Sequence, residues 1–274
     1  MQKLLYHWQL SIADPFRMEE QSIPPGFVNP HCDMHSAVHL GILRQGSVGD
    51  LQEQYDIFFT AAWEVHGKTA SADGAELLLI TASPEALLNT VIGDRSAVKR
   101  LLYLPCGGGA GRFRIPELQR KAAEFCAVYD RLKHHAALPE VRQQLWLHTA
   151  GLFYDTALCL AENPGGTEQK KFLVLQKVLS VMAELKNIPL TVAQAAKICC
   201  MSESYFSHVF RECAGMGFAR YELLFRLNCA AAELAEKDVS IKQIAGEWGF
   251  YDASHFCKSY KKFFGVTPSC YRSR

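Results

Sequence analysis

Long hydrophobic runs are missing from this 274-residue sequence, in which no apolar stretch reaches the roughly 20 residues that a membrane-spanning helix needs. The first ten residues include Lys3, His7 and Gln9, which do not suit the apolar core of a signal peptide. The ten cysteines include no Cys-x-x-Cys spacing, so neither a disulfide framework nor a zinc module is indicated. We therefore expect a cytoplasmic protein with reduced thiols and no membrane partner.

Net charge is also scarce, at +1 for the whole chain, but it is unevenly distributed. Residues 170–274 carry 15 Lys and Arg against 9 Asp and Glu, a net charge of +6, whereas residues 1–169 carry a net charge of −5. A basic C-terminal part suits a DNA-binding surface, although an ordinary solvated basic face would give the same count.

The length of 274 residues favours two domains rather than one.

The N-terminal part of the sequence predicts short strands. Between about residues 27 and 82, short apolar runs alternate with glycine and polar residues, as in His39–Leu43, Tyr55–Phe59 and Leu77–Ile80. Such runs indicate the strands of a small barrel or sandwich.

Two helices are predicted to follow these strands. Pro116 suits the first turn of a helix whose apolar residues recur at steps of four and three. These residues are Leu118, Ala122, Phe125, Tyr129 and Leu132. Their stripe could pair with its twin in a homodimer or cover the barrel. A second helix is predicted from about Pro139 to Leu160.

A glycine-rich segment, residues 163–167, is the best linker signal in the chain. We therefore predict an N-terminal domain at residues 1–162, a linker at 163–170 and a helical domain at 171–274. The fold class is α+β, with strands and trailing helices first and an all-α domain second.

The C-terminal part predicts helix starts that resemble one another. Thr191 with Gln194, and Ser240 with Gln243, each have the spacing of a capping box. Ser202 and Asp252 are predicted to be simple N-caps.

A repeat of about fifty residues links these helices. Aligned pairs, with one extra residue in the second turn, are Ala196 with Ala245, Phe206 with Phe256, Phe210 with Tyr260, Arg211 with Lys261, Gly215 with Gly265, and Tyr221 with Tyr271. Each copy has the plan of a helix-turn-helix unit, which places its second helix in the major groove of DNA. A protein-binding solenoid is the alternative, but solenoids need about three repeats.

A helix between the two copies is predicted to hold them together through one apolar stripe, made of Leu223, Leu227, Ala230, Ala231 and Leu234. The aromatic residues of the repeat are assigned to core packing rather than to base stacking. They are Phe206, Phe210, Phe250, Phe256, Tyr260 and Phe264.

The order of residues in the two copies of the repeat resembles the C-terminal signature of AraC/XylS-type regulators. The resemblance covers residues 171–274 and rests on Ile244-Ala245, Gly249-Phe250, Ser254-His255-Phe256, Tyr260-Lys261-Lys262, Phe264 to Pro268 and Tyr271-Arg272. The first copy is similar through Ala196, Met201-Ser202, Ser204 to Ser207, Phe210-Arg211 and Gly215-Met216. Cys200 departs from the family because it stands where the turn usually has glycine. We expect either strain at Cys200 or a first turn that is built differently.

The resemblance implies that the outward face of each second helix meets DNA. The residues predicted to face bases are Ser204, Ser207, His208, Ser254, His255, Cys257 and Lys258. Arg211, Lys242, Lys261 and Lys262 are assigned to phosphates, which orient a protein on DNA without reading its sequence. An ordinary surface charge is the alternative for any one of these four residues.

Residues 25–110 contain Asp33-Met34-His35 with His39 and Gly46 downstream, followed by Trp63-Glu64-Val65-His66-Gly67. This pattern resembles, less closely, the cupin-like barrel that carries an effector pocket in such regulators. The residues assigned to effector binding are Asp33, His35, His39, Tyr55, Trp63, Glu64 and His66. Asp33, His35, His39 and His66 also form a candidate metal set, because imidazole and carboxylate suit Zn, Mn, Fe or Ni. We favour no metal cofactor, and a small polar effector such as a sugar. The remaining alternative is that these histidines are structural.

The sequence thus predicts a transcription regulator, not an enzyme, which binds double-stranded DNA under the control of a small-molecule effector. Its two helix-turn-helix units would read major-groove faces about 34 Å apart. A homodimer is expected, with RNA polymerase as a partner if the protein is an activator. The alternatives are a regulator whose barrel only dimerises, and a metal-dependent cupin enzyme with a helical tail.

Overall fold

The computed structural model describes residues 10, 12–29, 34–64, 66, 69–103, 111–113, 115–161, 174, 177–182, 185, 187–236 and 239–272. The chain divides into two compact units: an N-terminal unit containing Leu10–Cys32 and Ser36–Gln169, and a C-terminal unit containing Lys170–Arg274 together with Met1–Gln9 and Asp33–His35. The predicted linker at residues 163–170 lies outside the described residues, so its limits stay a prediction.

The strands of the N-terminal unit form two antiparallel sheets. They are β1 Phe16–Ile23, β2 Phe27–Asn29, β3 Val38–Gly46, β4 Ile57–Thr60, β5 Thr69–Ser71, β6 Ala75–Ala82 and β7 Gly111–Phe113. The larger sheet has the order β1-β6-β3-β4-β7, and β2 pairs with β5 in the smaller one. Because β3 lies between β6 and β4, its residues 38–43 are all buried. Strands are therefore present where they were predicted, and closure into a cupin-like barrel stays a prediction.

Four helices pack in the same unit. They are α1 Pro84–Thr90, α2 Ser96–Tyr103, α3 Pro116–Leu132 and α4 Pro139–Ala161. Helix α3 begins at Pro116 as predicted, and its apolar stripe belongs to the core that also contains residues of the large sheet and of α4. Arg44 of β3 donates a hydrogen bond of 2.9 Å to Asp130 of α3, which joins helix and sheet. The stripe therefore covers the sheet, one of its two predicted roles, and the homodimer stays a prediction.

The described elements of the C-terminal unit are helices. They are α5 Val192–Ile198, α6 Glu203–Ala214, α7 Phe218–Glu236, α8 Ile241–Glu247, α9 Ala253–Phe264 and α10 Pro268–Arg272. A further helical stretch lies at residues 177–182. The fold class is thus α+β, as predicted. None of the helices within the described residues has the length and apolarity needed to cross a membrane.

Side-chain caps start five of these helices, including α10, where the Thr267 hydroxyl accepts a hydrogen bond from the amide of Cys270. Thr191 and Gln194 form the predicted capping box, with both of its hydrogen bonds present. Ser202 and Asp252 cap α6 and α9 as predicted. At Ser240 the prediction of a full box is wrong. Its hydroxyl accepts a bond from the backbone of Gln243, but the Gln243 side-chain amide donates to Glu247, one turn further along α8.

Candidate nucleic-acid interface

Helices α5–α6 and α8–α9 form two helix-turn-helix units with equivalent cores. The aromatic residues assigned to core packing are all buried: Phe206, Phe210, Phe250, Phe256, Tyr260 and Phe264. The ring centroids of Phe206 and Phe210 are 5.5 Å apart, and those of the equivalent Phe256 and Tyr260 are also 5.5 Å apart. The aromatic rings therefore fix the second helix of each unit and do not offer stacking surfaces to bases.

The turns of the two units share one backbone geometry. Cys200 has a φ of 54° and Gly249 a φ of 66°. The amide of the next residue reaches back five residues in both turns, from Met201 to Ala196 and from Phe250 to Ala245, at 2.9 Å each. The first turn is therefore not built differently. Cys200 adopts the left-handed conformation that glycine favours, which is the other of the two expected outcomes.

The extra residue of the second turn is Tyr251. Met201 is followed directly by the N-cap Ser202, whereas Phe250 is separated from the N-cap Asp252 by Tyr251. The Tyr251 side chain is 93% exposed. The repeat predicted an insertion in this turn, but the sequence alone did not identify the inserted residue.

A partly buried arginine joins the second turn to the connecting helix α7. Arg226 bonds Glu222 through Nε at 2.7 Å and Nη2 at 3.0 Å. Its Nη1 donates to the carbonyl oxygens of Trp248 at 3.1 Å and Gly249 at 3.3 Å. The guanidinium also lies 4.7 Å from the ring centroid of Phe250, a cation–π contact. Sequence reasoning missed this clamp, although Glu222 and Arg226 have the i,i+4 spacing of a helical ion pair.

The residues predicted to meet DNA lie on accessible parts of the two second helices and of α8. Exposed side chains at these positions are Ser204, His208, Arg211, Lys242, Ser254, His255, Lys258, Lys261 and Lys262. Ser207 and Cys257 are partly buried. His208 Nε2 lies 3.7 Å from Glu212, an acid that shares the exposed face of α6. The accessibility of these residues is compatible with DNA contacts, and the contacts themselves stay predictions.

The N-terminal unit brings several of the predicted effector residues together. The rings of His39 and His66 have centroids 5.1 Å apart, and His39 Nδ1 lies 2.9 Å from the hydroxyl of Thr81. Burial, and to a lesser extent the nearby His66, hold the pKa of His39 well below its usual range. His35, the third histidine of the candidate metal set, belongs to the other compact unit. Imidazoles placed like those of His39 and His66 can accept a hydrogen bond or bind a metal ion.

Of the other predicted effector residues, Glu64 contacts His66, whereas Tyr55 lies beyond the far end of the β3–β4 pairing from His39. Glu64 is buried, and its carboxylate accepts a bond of 2.9 Å from the backbone of Ala61, while its carbonyl oxygen accepts one of 2.8 Å from His66. Tyr55 and Trp63 are partly buried against the core of the N-terminal unit, with φ of 69° and 62°. Asp33 lies outside the described residues. Effector binding by any of these residues stays a prediction.

Known proteins share the helical part of this architecture. Residues 195–274 match a family of helix-turn-helix domains. The uncharacterized HTH-type transcriptional regulator YpdC of Escherichia coli is 24% identical over 165 residues, which are 60% of this chain and 57% of YpdC. The HTH-type transcriptional regulator ArgR of Pseudomonas aeruginosa is 36% identical over 93 residues, 34% of this chain and 28% of ArgR. The chain thus spans little more than half the length of the first of these curated relatives and less than a third of the second.

Solved structures share the whole fold. ToxT from Vibrio cholerae O395 has a TM-score of 0.55 at 12% identity, covering 94% of this chain and 97% of ToxT. Wild-type ToxT bound to an unsaturated fatty acid, from Vibrio cholerae strain SCE256, has a TM-score of 0.53 at 12% identity and covers 94% of this chain and 95% of that one. At such identities the likeness concerns the α+β fold. The C-terminal unit, with its two equivalent turns and its matching sequence, contains a helix-turn-helix domain of the AraC type.

Proposed function

We propose that the protein is a sequence-specific DNA-binding transcription regulator. The observation that carries this proposal is the pair of helix-turn-helix units, built alike from core to turn, with polar and basic side chains on both second helices. Major-groove reading requires a recognition helix that is held in place while one of its faces stays accessible. The curated relatives named above are transcriptional regulators, which also supports the proposal.

The exposed residues divide by chemistry into two groups. Lys261 and Lys262, in the last turn of α9, and Lys242 on α8 suit phosphate contacts, because a flexible ammonium group serves as a point charge. Lys258 and His255 lie nearer the start of α9, where recognition helices contact base edges. Only the second group would change sequence preference when altered.

The N-terminal unit is proposed to bind the effector. The adjoining imidazoles of His39 and His66 support a polar ligand such as a sugar, because neutral imidazole both donates and accepts hydrogen bonds. The unsaturated fatty acid bound to ToxT supports ligand binding by a protein of this fold and suggests a second class of ligand to test. A metal ion bound by His39 and His66 is the third class.

The proposed partners follow from this reading. RNA polymerase is a partner if the protein activates transcription, and a homodimer is proposed. Exposed apolar side chains on α4, Leu147, Tyr154 and Leu158, support the homodimer because their spacing places them on one helix face. The protein would perform no chemistry of its own.

The test of DNA binding uses the full-length protein and two duplexes, one selected by the protein from a random library and one of unselected sequence. We expect the logarithm of the affinity to fall linearly with the logarithm of salt concentration. Lys261→Ala should weaken binding to both duplexes alike and lower the salt slope by about 1, whereas Lys258→Ala should change preference at one base position.

Lys99→Ala is the matched control, because it removes one exposed positive charge from α2 of the N-terminal unit. It should leave both the affinity and the salt slope unchanged. Wild-type protein that shows no salt-dependent affinity for DNA would refute the proposed function. If the two C-terminal lysine variants behaved identically, the division into base and phosphate contacts would be wrong.

A further inference from the structure

The second turn holds its exposed tyrosine on a fixed backbone. On one side of Tyr251, Phe250 is buried, with its ring 5.0 Å from that of Phe256 and beneath the guanidinium of Arg226. On the other side, Asp252 accepts a bond of 2.6 Å from the amide of His255 and so caps α9. Both neighbours of Tyr251 are therefore anchored, and its ring projects from an ordered position.

The exposure of Tyr251 would not by itself indicate a function, since single exposed apolar side chains are common on protein surfaces. The position of Tyr251 is what distinguishes it. It comes one residue before the N-cap of the second helix of its unit, and it adjoins the exposed residues Ser254 and His255. In a helix-turn-helix unit this end of the recognition helix is the one directed into the major groove.

We propose that Tyr251 is a further DNA contact of the second unit, with its ring against a deoxyribose and its hydroxyl donating to a phosphate beside the major groove. The inference rests on the proposed DNA-binding function. Tyrosine is among the side chains that contact sugar and phosphate, because its ring is apolar and its tip is polar. Only two side-chain torsions need to be fixed on binding, and the backbone on both sides is already anchored.

Tyr251 is uncharged, so its contact with DNA should differ from those of the lysines in its dependence on salt. Lys and Arg release counterions when they neutralise phosphates, so they contribute to the salt slope. A tyrosine hydroxyl replaces no counterion. Loss of Tyr251 should therefore lower the affinity at every salt concentration by one factor, without changing the slope. The first unit has no residue equivalent to Tyr251, so the contact would be a property of the second unit alone.

The experiment measures the affinity of the full-length Tyr251→Ala and Tyr251→Phe variants for the selected and unselected duplexes across a range of salt. We expect Tyr251→Ala to bind both duplexes about tenfold more weakly, with the slope of the wild type. Tyr251→Phe keeps the ring and should bind about threefold more weakly, since it loses one hydrogen bond. Thermal unfolding should be unchanged, because the side chain is 93% exposed.

Ile92→Ala is the matched control, because Ile92 is 99% exposed in the N-terminal unit. It should bind DNA as the wild type does. Should wild-type protein bind while Tyr251→Ala binds equally well, this inference alone fails, and a role for Tyr251 on a protein-binding surface takes its place. A loss confined to the selected duplex would overturn the backbone contact in favour of base reading. Failure of the wild type to bind DNA would remove the proposed function itself.

Discussion

Cys200 carries backbone strain that its counterpart in the second unit avoids. The φ of 54° places the backbone of Cys200 in the left-handed region, a conformation that costs a residue other than glycine about 1–3 kcal/mol. At Gly249 the same conformation is free of that cost, and an added Cβ would lie only 2.6 Å from the carbonyl oxygen of Asn187. Glycine is therefore required in the second turn by crowding as well as by conformation.

We predict that Cys200→Gly stabilises the C-terminal unit by about 0.5–1 kcal/mol. The substitution relieves the strain, and the greater freedom of glycine in the unfolded chain offsets part of the gain. Native-state hydrogen exchange of α6 amides in the full-length protein would measure the change, because it reports the opening of one unit separately.

Gly249→Ala is the opposite substitution and should destabilise the same unit by more than Cys200→Gly stabilises it. Cys213→Ser is unsuitable as a control because that side chain is buried, whereas Cys270→Ala removes an exposed thiol elsewhere in the unit without placing glycine in a helix. If the α6 amides of Cys200→Gly exchanged their hydrogens no more slowly than those of the wild type, the positive φ at Cys200 would impose no measurable strain.

Single residues were predicted from the sequence where their effect is local. The N-caps Ser202 and Asp252 follow from side chains that reach a backbone amide three residues away. Gln243 was predicted incorrectly because its amide has two partners within reach, the N-cap backbone and Glu247. A motif specifies which bonds are available, and the surrounding side chains decide which one forms.

At the scale of elements, α7 contains an ion pair that connects one helix-turn-helix unit to the connecting helix. The side chains of Arg226 and Glu222 are 11% and 7% exposed, so both charges are largely shielded from water. The remaining guanidinium donor serves the carbonyls of the second turn, which also places Phe250 beneath the cation. One side chain thus determines how the second turn sits on α7.

We predict that Arg226→Leu destabilises the C-terminal unit by about 3 kcal/mol. The leucine leaves the buried carboxylate of Glu222 without its partner, and it also removes the donor to Trp248 and Gly249. Hydrogen exchange at the amides of Gly249 and Phe250 should accelerate most, because these amides form the turn.

Arg120→Leu provides the comparison, since Arg120 forms an i,i+4 pair with Glu124 in which both side chains are about 60% exposed. Exposed pairs contribute little, so this variant should unfold almost as the wild type does. Equal effects of the two arginine substitutions would mean that the Arg226 clamp adds nothing beyond a surface pair.

Elements were predicted well where their periodicity is regular. Helix α3 begins at Pro116 and buries the stripe that its spacing of four and three indicated. The order of strands in the sheet could not be predicted in the same way, because β1 pairs with β6 across more than fifty residues of intervening chain. Such pairing depends on which buried faces fit together, and a single sequence carries no direct record of that.

At the scale of the whole molecule, the sequence separates two functions along the chain. The net charge of +6 in residues 170–274 indicated the part of the chain that is proposed to bind DNA, and the repeat predicted its two helix-turn-helix units. The residues of the proposed effector site were harder to predict. Its histidines come from different stretches of the sequence, and the candidate ligand depends on the shape of a site that composition does not encode.

Regulation requires that the effector and DNA each change the affinity of the protein for the other. A ligand that binds two states of a protein equally well shifts neither, so an effector must favour the state that binds DNA or the state that does not. By linkage, the factor by which the effector changes DNA affinity equals the factor by which DNA changes effector affinity. This equality holds whether the protein is an activator or a repressor.

We predict that a thermal-shift screen of the full-length protein with sugars, unsaturated fatty acids and divalent zinc or nickel will identify one stabilising class, with sugars expected. The stabilising compound should change the affinity for the selected duplex by about 5- to 150-fold, and the duplex should change the affinity for the compound equally. His66→Gln should lose the shift, because its imidazole stands beside His39, whereas DNA affinity without the compound should stay unchanged.

His148→Gln is the control, because it replaces an exposed histidine on α4. It should retain both the thermal shift and the change in DNA affinity. Stabilisation by metal alone, lost in His66→Gln, would transfer the site from a sugar to a metal ion. A compound that stabilises the protein without altering DNA affinity would refute the regulatory role. No stabilisation by any of the three classes would leave a regulator whose N-terminal unit only dimerises.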